Sequence, residues 1–450
     1  MPASDPGLES RPGRAADVTD VLIVGAGSAG SILAERLSAD PARSVTLVEA
    51  GPDAPALTAD ATTLPIDAHS PVVRRYRSTL TDDPVRTADL VRGACIGGSG
   101  AVNGGYFCRA LPRDMAALPG WTWEQAAAHF DSVEERIGIT TATHIAGATA
   151  AFLAAADDAG IRRLPDLTAD GTGVAAVPLN IDAGVRRGPG LVYLEPALAR
   201  SNLTALTNTR SVRVRTAAGR AVGVDAVGPD GPISLDADHV VLCAGAIGSA
   251  QLLLLSGIGP AADLRALGIP VVADLPVGRR CWDHPEWQLT THLPNAAGHP
   301  VLEAVMVTGE LEIRPYTTGF GVGEYGATTP VGVALMRPRA RGRLRLASAD
   351  PTLAPHIEQR YDSDAADLAD LRDGCDLVAG LLGGAGGEPV WSTSQHLSGT
   401  APMGTVTDSR CAVLGVQNLA VVDGSVLAEP LSRGPHATVA MLAHRAAELL

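Results

Sequence analysis

Two histidines near the C-terminus carry the residue type best suited to moving a proton near neutral pH. His396 precedes the small-residue turn Leu397-Ser398-Gly399-Thr400. His436 stands in Arg433-Gly434-Pro435-His436-Ala437-Thr438, at the entry to an apolar-periodic helix. An imidazole with an ordinary pKa of about 6.5 can take a hydroxyl proton. A helix start at His436, Ala437 and Thr438 would add free N–H groups at the positive end of a dipole. Between the two, Leu419-Ala-Val-Val reads as a strand closing on the carboxylate of Asp423 and a turn at Gly424. Either histidine alone is as readily structural. Far upstream, Gly25-Ala26-Gly27-Ser28-Ala29-Gly30 has the spacing of a pyrophosphate cradle, and a base paired with a dinucleotide site predicts oxidation or reduction of a hydroxyl-bearing substrate.

The elements around these residues give the spacing its meaning. The apolar run Asp20-Val-Leu-Ile-Val24 enters the glycine turn. A helical pattern follows over residues 31–38, and Ser44-Val-Thr-Leu-Val48 ends on Glu49 and Ala50. This is a βαβ unit of about thirty residues. Gly25 permits the tight turn, Gly27 lets the backbone approach a pyrophosphate, and Gly30 lets the helix sit on the sheet. Glu49 is placed to accept ribose hydroxyls of an adenosine, which leaves NAD and FAD equally open. A second glycine-rich turn begins at Arg92 and contains Gly97, Gly98, Ser99, Asn103 and Gly104, with apolar residues between the glycines. It predicts a buried backbone passing close to a flat ligand.

The stretch 240–262 carries no charge and is long enough to span a bilayer. It divides instead into a strand, a turn at Ala244-Gly245 and a helix. Thr122 is the expected cap of an amphipathic helix reaching Glu135, anchored by Trp121 and Trp123. Asp364, Asp367, Asp370 and Asp373 share one helical face, read as solvated rather than metal-binding; no metal site is expected. The run Arg74-Arg75-Tyr76-Arg77 is likewise read as a solvated face.

Composition removes whole classes of chemistry. The 450 residues predict two or three domains. All 35 basic residues are arginine. With no lysine there is no Schiff-base chemistry, no phosphate-loop lysine and no kinase lysine. A net charge of −14 argues against nucleic acid as a partner. The six cysteines are scattered without a paired spacing, as reduced, buried thiols would be. Residues 1–17 lack the apolar core of a signal peptide and read as a mobile extension. No transmembrane segment is expected.

The chain resembles the glucose–methanol–choline (GMC) oxidoreductases, FAD enzymes, over most of its length. Residues 20–51 resemble the family's FAD fingerprint, 92–103 its first signature, and 244–259 its second, with Ala250 where Pro or Ser is usual. Residues 275–285, Arg341-Gly-Arg-Leu-Arg-Leu346 and Pro355-His-Ile resemble later segments. The resemblance implies an α/β fold: a Rossmann-type FAD-binding domain plus a smaller α+β substrate domain with an antiparallel sheet. It divides the chain into an FAD-binding domain at 18–120, 190–280 and 396–450, and a cap at 121–189 and 281–395.

It also implies that His396 is the principal base and His436 the second active-site residue, which would bond the alcohol oxygen while hydride moves to the flavin. Asp423 would contact the flavin and Val212 would lie near adenine. Gly434 stands where Asn is commoner. Relatives with covalent flavin use a histidine near the first signature; none lies between Arg92 and Arg109, so FAD held non-covalently is expected. Gly104-Gly-Tyr-Phe-Cys-Arg109, Asp283-His-Pro-Glu-Trp287 and Leu311-Glu-Ile-Arg-Pro-Tyr316 resemble the mycofactocin-associated branch. That implies a dehydrogenase that oxidises mycofactocinol and passes electrons to a respiratory acceptor, in the cytoplasm or docked at the inner membrane face. Other readings are a general alcohol- or choline-type oxidase or dehydrogenase, a hydroxynitrile-lyase-like enzyme, and a silent flavin-binding redox-partner module.

Overall fold

The computed structural model of the chain describes residues 18–169, 171–318, 329–384 and 386–450. The extension expected at 1–17 lies outside them. The first strand, Thr19–Val24, is buried along Val21, Leu22, Ile23 and Val24, as a parallel strand covered on both faces must be. It pairs in parallel with Val45–Val48 on one side and with the far end of Gly231–Leu242 on the other. Leu203–Leu206 extends the sheet beyond Val45–Val48, and Leu419–Val421 adds to Val240, Val241 and Leu242. The near end of Gly231–Leu242 leaves the parallel sheet and pairs antiparallel with Arg220–Gly228, which pairs with Arg210–Ala217. One long strand thus belongs to two sheets.

Helix Ser28–Leu37 packs against the C-terminal helix His436–Ala446. Helix Trp123–Ile137 packs there too, burying Ala126, Phe130, Val133 and Ile137 in the same core. Its N-terminus carries the expected cap: Thr122 Oγ1 accepts from Gln125 N at 3.4 Å, and Gln125 Oε1 accepts from Thr122 N at 3.1 Å. This helix, within the range expected for the cap, turns its apolar stripe toward the C-terminal helix. The charge-free stretch is a strand end followed by helix Gly245–Leu255. No helix among the described residues is long and apolar enough to cross a membrane.

The second unit is a six-stranded antiparallel sheet, ordered Gly386–Thr393, Pro285–Thr290, Pro330–Leu335, Leu311–Pro315, Ala304–Thr308 and Gly173–Ala176. Strand residues alternate between faces. Trp287, Leu289 and Ile313 point to a core shared with helices Gly147–Asp158 and Ala365–Leu381. Glu286, Gln288, Glu312 and Arg314 take the opposite face, yet all four are buried. A smaller sheet joins the hairpin Val73–Asp82 and Val85–Gly93 to His356–Glu358 and Arg343–Arg345.

Two sequence expectations fail here. Asp367 is not solvated: it is buried, and its carboxylate accepts from the backbone N–H groups of Arg339 and Ala340 and from the Arg339 guanidinium. Asp364 caps that helix, accepting from Ala366 N and Asp367 N. In the arginine run, Arg74 stacks over the Tyr76 ring and lines the central cavity. All six cysteines are free and buried.

Candidate active site

A cavity of about 490 Å³ runs from the first glycine turn, past the second, to the two C-terminal histidines. The glycines there act for three different reasons. Gly25 has φ +103°, and a Cβ on it would lie 2.6 Å from the Cys243 carbonyl oxygen. A Cβ on Gly30 would lie 1.9 Å from the Gly25 carbonyl oxygen, so helix and turn touch there. On Gly27 the nearest atom would be 3.9 Å away: the space in front of it is open to a ligand. Gly98 presses its backbone onto Gly27, where a Cβ would come within 2.6 Å of the Gly27 Cα. The two glycine turns therefore form one continuous floor.

Gly25, Gly27, Ser28, Ala29, Glu49, Ala50, Arg92, Gly98, Ser99, Asn103, Gly104, Ala244, Gly245, Asp423, Gly424, His396 and His436 all line the cavity. Five expected residues do not. Gly30 faces the Gly25 carbonyl, and Gly97 packs on Gly190. Val212 yields to its neighbours Thr209, Arg210 and Ser211. Ala437 and Thr438 are buried in the first helical turn, where N–H groups still lack intrahelical partners.

Two carboxylates have more partners than expected. Glu49 accepts from Ala26 N at 2.8 Å and Gly51 N at 2.9 Å, so it ties the glycine turn to the second strand as well as facing the cavity. Burial raises its pKa, and these N–H groups pull the other way. Asp423 accepts from Gly245 N, Ser249 Oγ, Ser425 N and Ser425 Oγ at 2.5–2.9 Å. It clamps two turns together.

Arg92 reaches Val91 O at 2.9 Å and Gln395 Oε1 at 3.1 Å through Nη1, while its buried Nη2 finds no partner. A buried guanidinium nitrogen facing a glycine-floored cavity is a site awaiting an acceptor. The open approach at Gly27, the carboxylate of Glu49 at the end of the second strand and this arginine fit FAD.

The histidines are more constrained than their sequence setting indicated. Asn103 Oδ1 accepts from Gly105 N at 2.9 Å, which orients its amide so that Nδ2 faces His436 Nδ1 at 3.1 Å. Nδ1 is then the acceptor, and His436 Nε2–H donates to Ser28 Oγ at 3.0 Å. Burial brings the His436 pKa down to about 4. Both its ring nitrogens have protein partners.

His396 has a different arrangement, set by a residue to which the sequence reading gave no chemistry. His284 Nε2 donates to the Leu431 carbonyl at 3.0 Å, so its Nδ1 is bare and accepts from His396 Nδ1–H at 2.8 Å. That leaves the lone pair of His396 on Nε2. A Cβ at position 434 would sit 3.4 Å from this nitrogen, so Gly434 keeps the space beside it clear. Burial, then His284 and Arg314, hold the His396 pKa well below the usual range; burial and Arg314 hold that of His284 at about 3. Both rings are neutral at neutral pH, as a waiting base requires.

The backbone is fixed to match. Asp283 Oδ1 accepts from His284 N and His396 N, each at 2.8 Å. Gln395 holds φ +65°, a left-handed value uncommon for its type, with its side chain bonded to Val91 N and Asp89 O. The sequence signals for His284 are its places in two resembling segments, residues 275–285 and Asp283-His-Pro-Glu-Trp287, neither of which points to a role.

A dinucleotide-type glycine floor facing a histidine with a free ring nitrogen suits an oxidoreductase. The N- and C-terminal models of the GMC oxidoreductase family match residues 19–286 and 338–443. The chain is 37% identical to a GMC-type oxidoreductase in the thcA 5′ region of Rhodococcus erythropolis, over 97% of this chain and 99% of the relative. It is 30% identical to the oxygen-dependent choline dehydrogenase of Pseudomonas aeruginosa, over 95% and 94%. The structure of pyridoxine 4-oxidase from Mesorbium loti superposes with a TM-score of 0.85 at 25% identity, covering 96% and 98%. That of a formate oxidase reaches 0.86 at 21% identity, covering 97% and 98%, a likeness of fold. The chain belongs to the GMC oxidoreductase family and is an FAD-dependent oxidoreductase acting on CH–OH donors.

Proposed function

We propose that this oxidoreductase is a dehydrogenase in which His396 Nε2 takes the alcohol proton, that its donor is mycofactocinol, and that its electrons pass to a respiratory acceptor. The observation that carries the base assignment is the relay from Leu431 through His284 to His396, which leaves a neutral Nε2 lone pair on the cavity side. Bound FAD, held without a covalent link, supplies the hydride acceptor. His436 holds its proton toward Ser28, orders the wall with Asn103, and stands as the second polar group beside the substrate. The finer assignment is supported by the three segments that resemble the mycofactocin-associated branch. Each contributes a cavity residue: Tyr106 from the first, Glu286 from the second, Arg314 and Tyr316 from the third.

The deciding experiment mixes the FAD-loaded enzyme anaerobically with simple alcohols and with reduced mycofactocin. Flavin bleaching by the reduced cofactor well ahead of the simple alcohols, with slow reoxidation in air, is the expected result. Bleaching by simple alcohols alone removes the mycofactocinol assignment, and rapid reoxidation in air removes the dehydrogenase assignment.

A further inference from the structure

The wall of the cavity beside His396 contains a buried ionic network that the proton-transfer scheme does not use. Glu286 and Arg314 line the cavity, with side chains 1% and 4% exposed. Arg314 Nη1 donates to Glu286 Oε2 at 2.9 Å and to Ser394 Oγ at 2.7 Å; Nε and Nη2 donate to Glu312 Oε2 at 3.2 and 2.8 Å; Nη2 also meets Met336 Sδ at 3.3 Å. All five N–H groups of the guanidinium are thereby engaged. Glu286 receives Gln288 Nε2, Tyr316 OH and Ser394 Oγ in addition, each at 3.0 Å. Behind them, Glu312 takes Tyr106 OH at 2.8 Å and lies 3.6 Å from Arg433. The network is built onto the catalytic pair itself: Glu286 follows His284 by two residues, and Ser394 precedes His396 by two.

Two carboxylates and two guanidiniums cancel. Among the described residues of this network, an entering cation meets no uncompensated carboxylate and an entering carboxylate meets no free donor; the unpaired Arg92 Nη2 lies outside the network, on the floor assigned to FAD. Taking either charge out of water without a counter-charge is strongly unfavourable. Among the described residues the lining contains three tyrosines; Tyr76 lies under Arg74, and the two joined to this network, Tyr106 and Tyr316, have their hydroxyls bonded to carboxylates, which falls short of an aromatic cage for an ammonium.

We propose that the chamber beside His396 takes an alcohol that is uncharged around its carbinol and turns away quaternary-ammonium and carboxylate alcohols, with the Glu286–Arg314 pair setting this selectivity. The proposal deepens the alcohol-oxidation reading and rests on it for the placement of substrate beside His396.

The test uses the FAD-loaded enzyme and a matched pair: choline, and its neutral isostere with a quaternary carbon in place of the nitrogen. Affinity is read from the ligand-induced change in the flavin spectrum, and turnover from anaerobic bleaching. The isostere is expected to bind at least about tenfold more tightly than choline, since choline alone carries an uncompensated charge into the site. Equal or tighter binding of choline overturns the proposal.

Glu286→Gln keeps the side-chain shape and leaves a guanidinium in excess. It is expected to weaken choline further and to improve binding of a carboxylate-bearing alcohol. Arg314→Met leaves carboxylate in excess and is expected to shift preference toward choline. If Arg314→Met fails to retain FAD, Glu286→Gln and the wild-type ligand pair still decide, and an unchanged charge preference in Glu286→Gln overturns the assignment of these residues. If binding follows the charge rule but no alcohol bleaches the flavin, the alcohol-oxidation reading fails while the charge rule stands. Bleaching without charge preference has the reverse meaning.

Discussion

Two histidine pairs in this molecule have nearly the same internal geometry and different uses. In the cavity, His284 and His396 meet Nδ1 to Nδ1 at 2.8 Å with ring centroids 5.0 Å apart. On the outer helices, His129 and His444 meet Nδ1 to Nδ1 at 2.9 Å with centroids 5.1 Å apart. The difference lies at their ends. The outer chain starts at Arg36 Nη1, which donates to His444 Nε2 at 2.8 Å, and finishes at His129 Nε2, which faces Glu448 at 3.8 Å. Three of the four nitrogens there are hydrogen-bonded within the protein, and the fourth faces a carboxylate rather than a cavity. The inner chain starts at a carbonyl and ends on a bare nitrogen beside an open cavity. The inner pair thus has one end anchored and the other facing the cavity, the arrangement on which the proposed base role of His396 rests.

The sharpest way to break the comparison is His396→Ala. It is expected to retain FAD and to lose flavin reduction by about 10²–10⁴-fold, the usual contribution of a general base; an unchanged reduction rate would refute the base assignment. Next, His284→Ala frees the His396 ring to hold its proton on either nitrogen. Reduction should slow by about 10- to 100-fold, with FAD content intact. His284→Asn, which can offer a carbonyl oxygen to Nδ1, should recover part of the loss. Equal rates in the two variants would show that tautomer control is not the role of His284.

A third expectation concerns pH. Burial pushes the folded-state pKa of His444 down to about 4, from the usual 6.5. Below the ordinary pKa the unfolded chain then binds the proton more readily than the folded one. The contribution of His444 to stability is full above pH 6.5 and is lost as pH falls toward 4. Thermal melts of wild type should therefore decline across that window more steeply than those of His444→Gln; parallel curves would contradict it. The smallest effect is expected from His129→Ala. It should leave flavin reduction unchanged and lower the melting temperature by about one degree, on the order of 1 kcal/mol. A loss of reduction rate there would erase the distinction between the pairs.

Much of the floor of the site was legible in residue order. The strand–turn–helix–strand unit, the tight turn at Gly25 and the contact at Gly30 follow from interactions within about thirty residues, as does the Thr122 cap. Glu286-Trp287-Gln288-Leu289 and Leu311-Glu312-Ile313-Arg314 were not predicted as strands, although they alternate with period two and form strands with one apolar face. Alternation does not say where the polar face points, and here it points into a closed interior. The solvated readings of Asp367 and Arg74 failed for the same reason: a charge pattern on one element carries no information about the element that covers it.

The sequence by itself determined the family, the dinucleotide floor and the two C-terminal histidines, because each rests on local spacing and residue type. The tertiary structure alone decided which histidine keeps a free nitrogen. His284 reaches His396 across 112 residues, and Ser28 reaches His436 across 408. Those contacts, with the Leu431 carbonyl and the Asn103 amide, fix where each proton sits. A tautomer is set by the partner across the hydrogen bond, and here every such partner lies on another element of the fold.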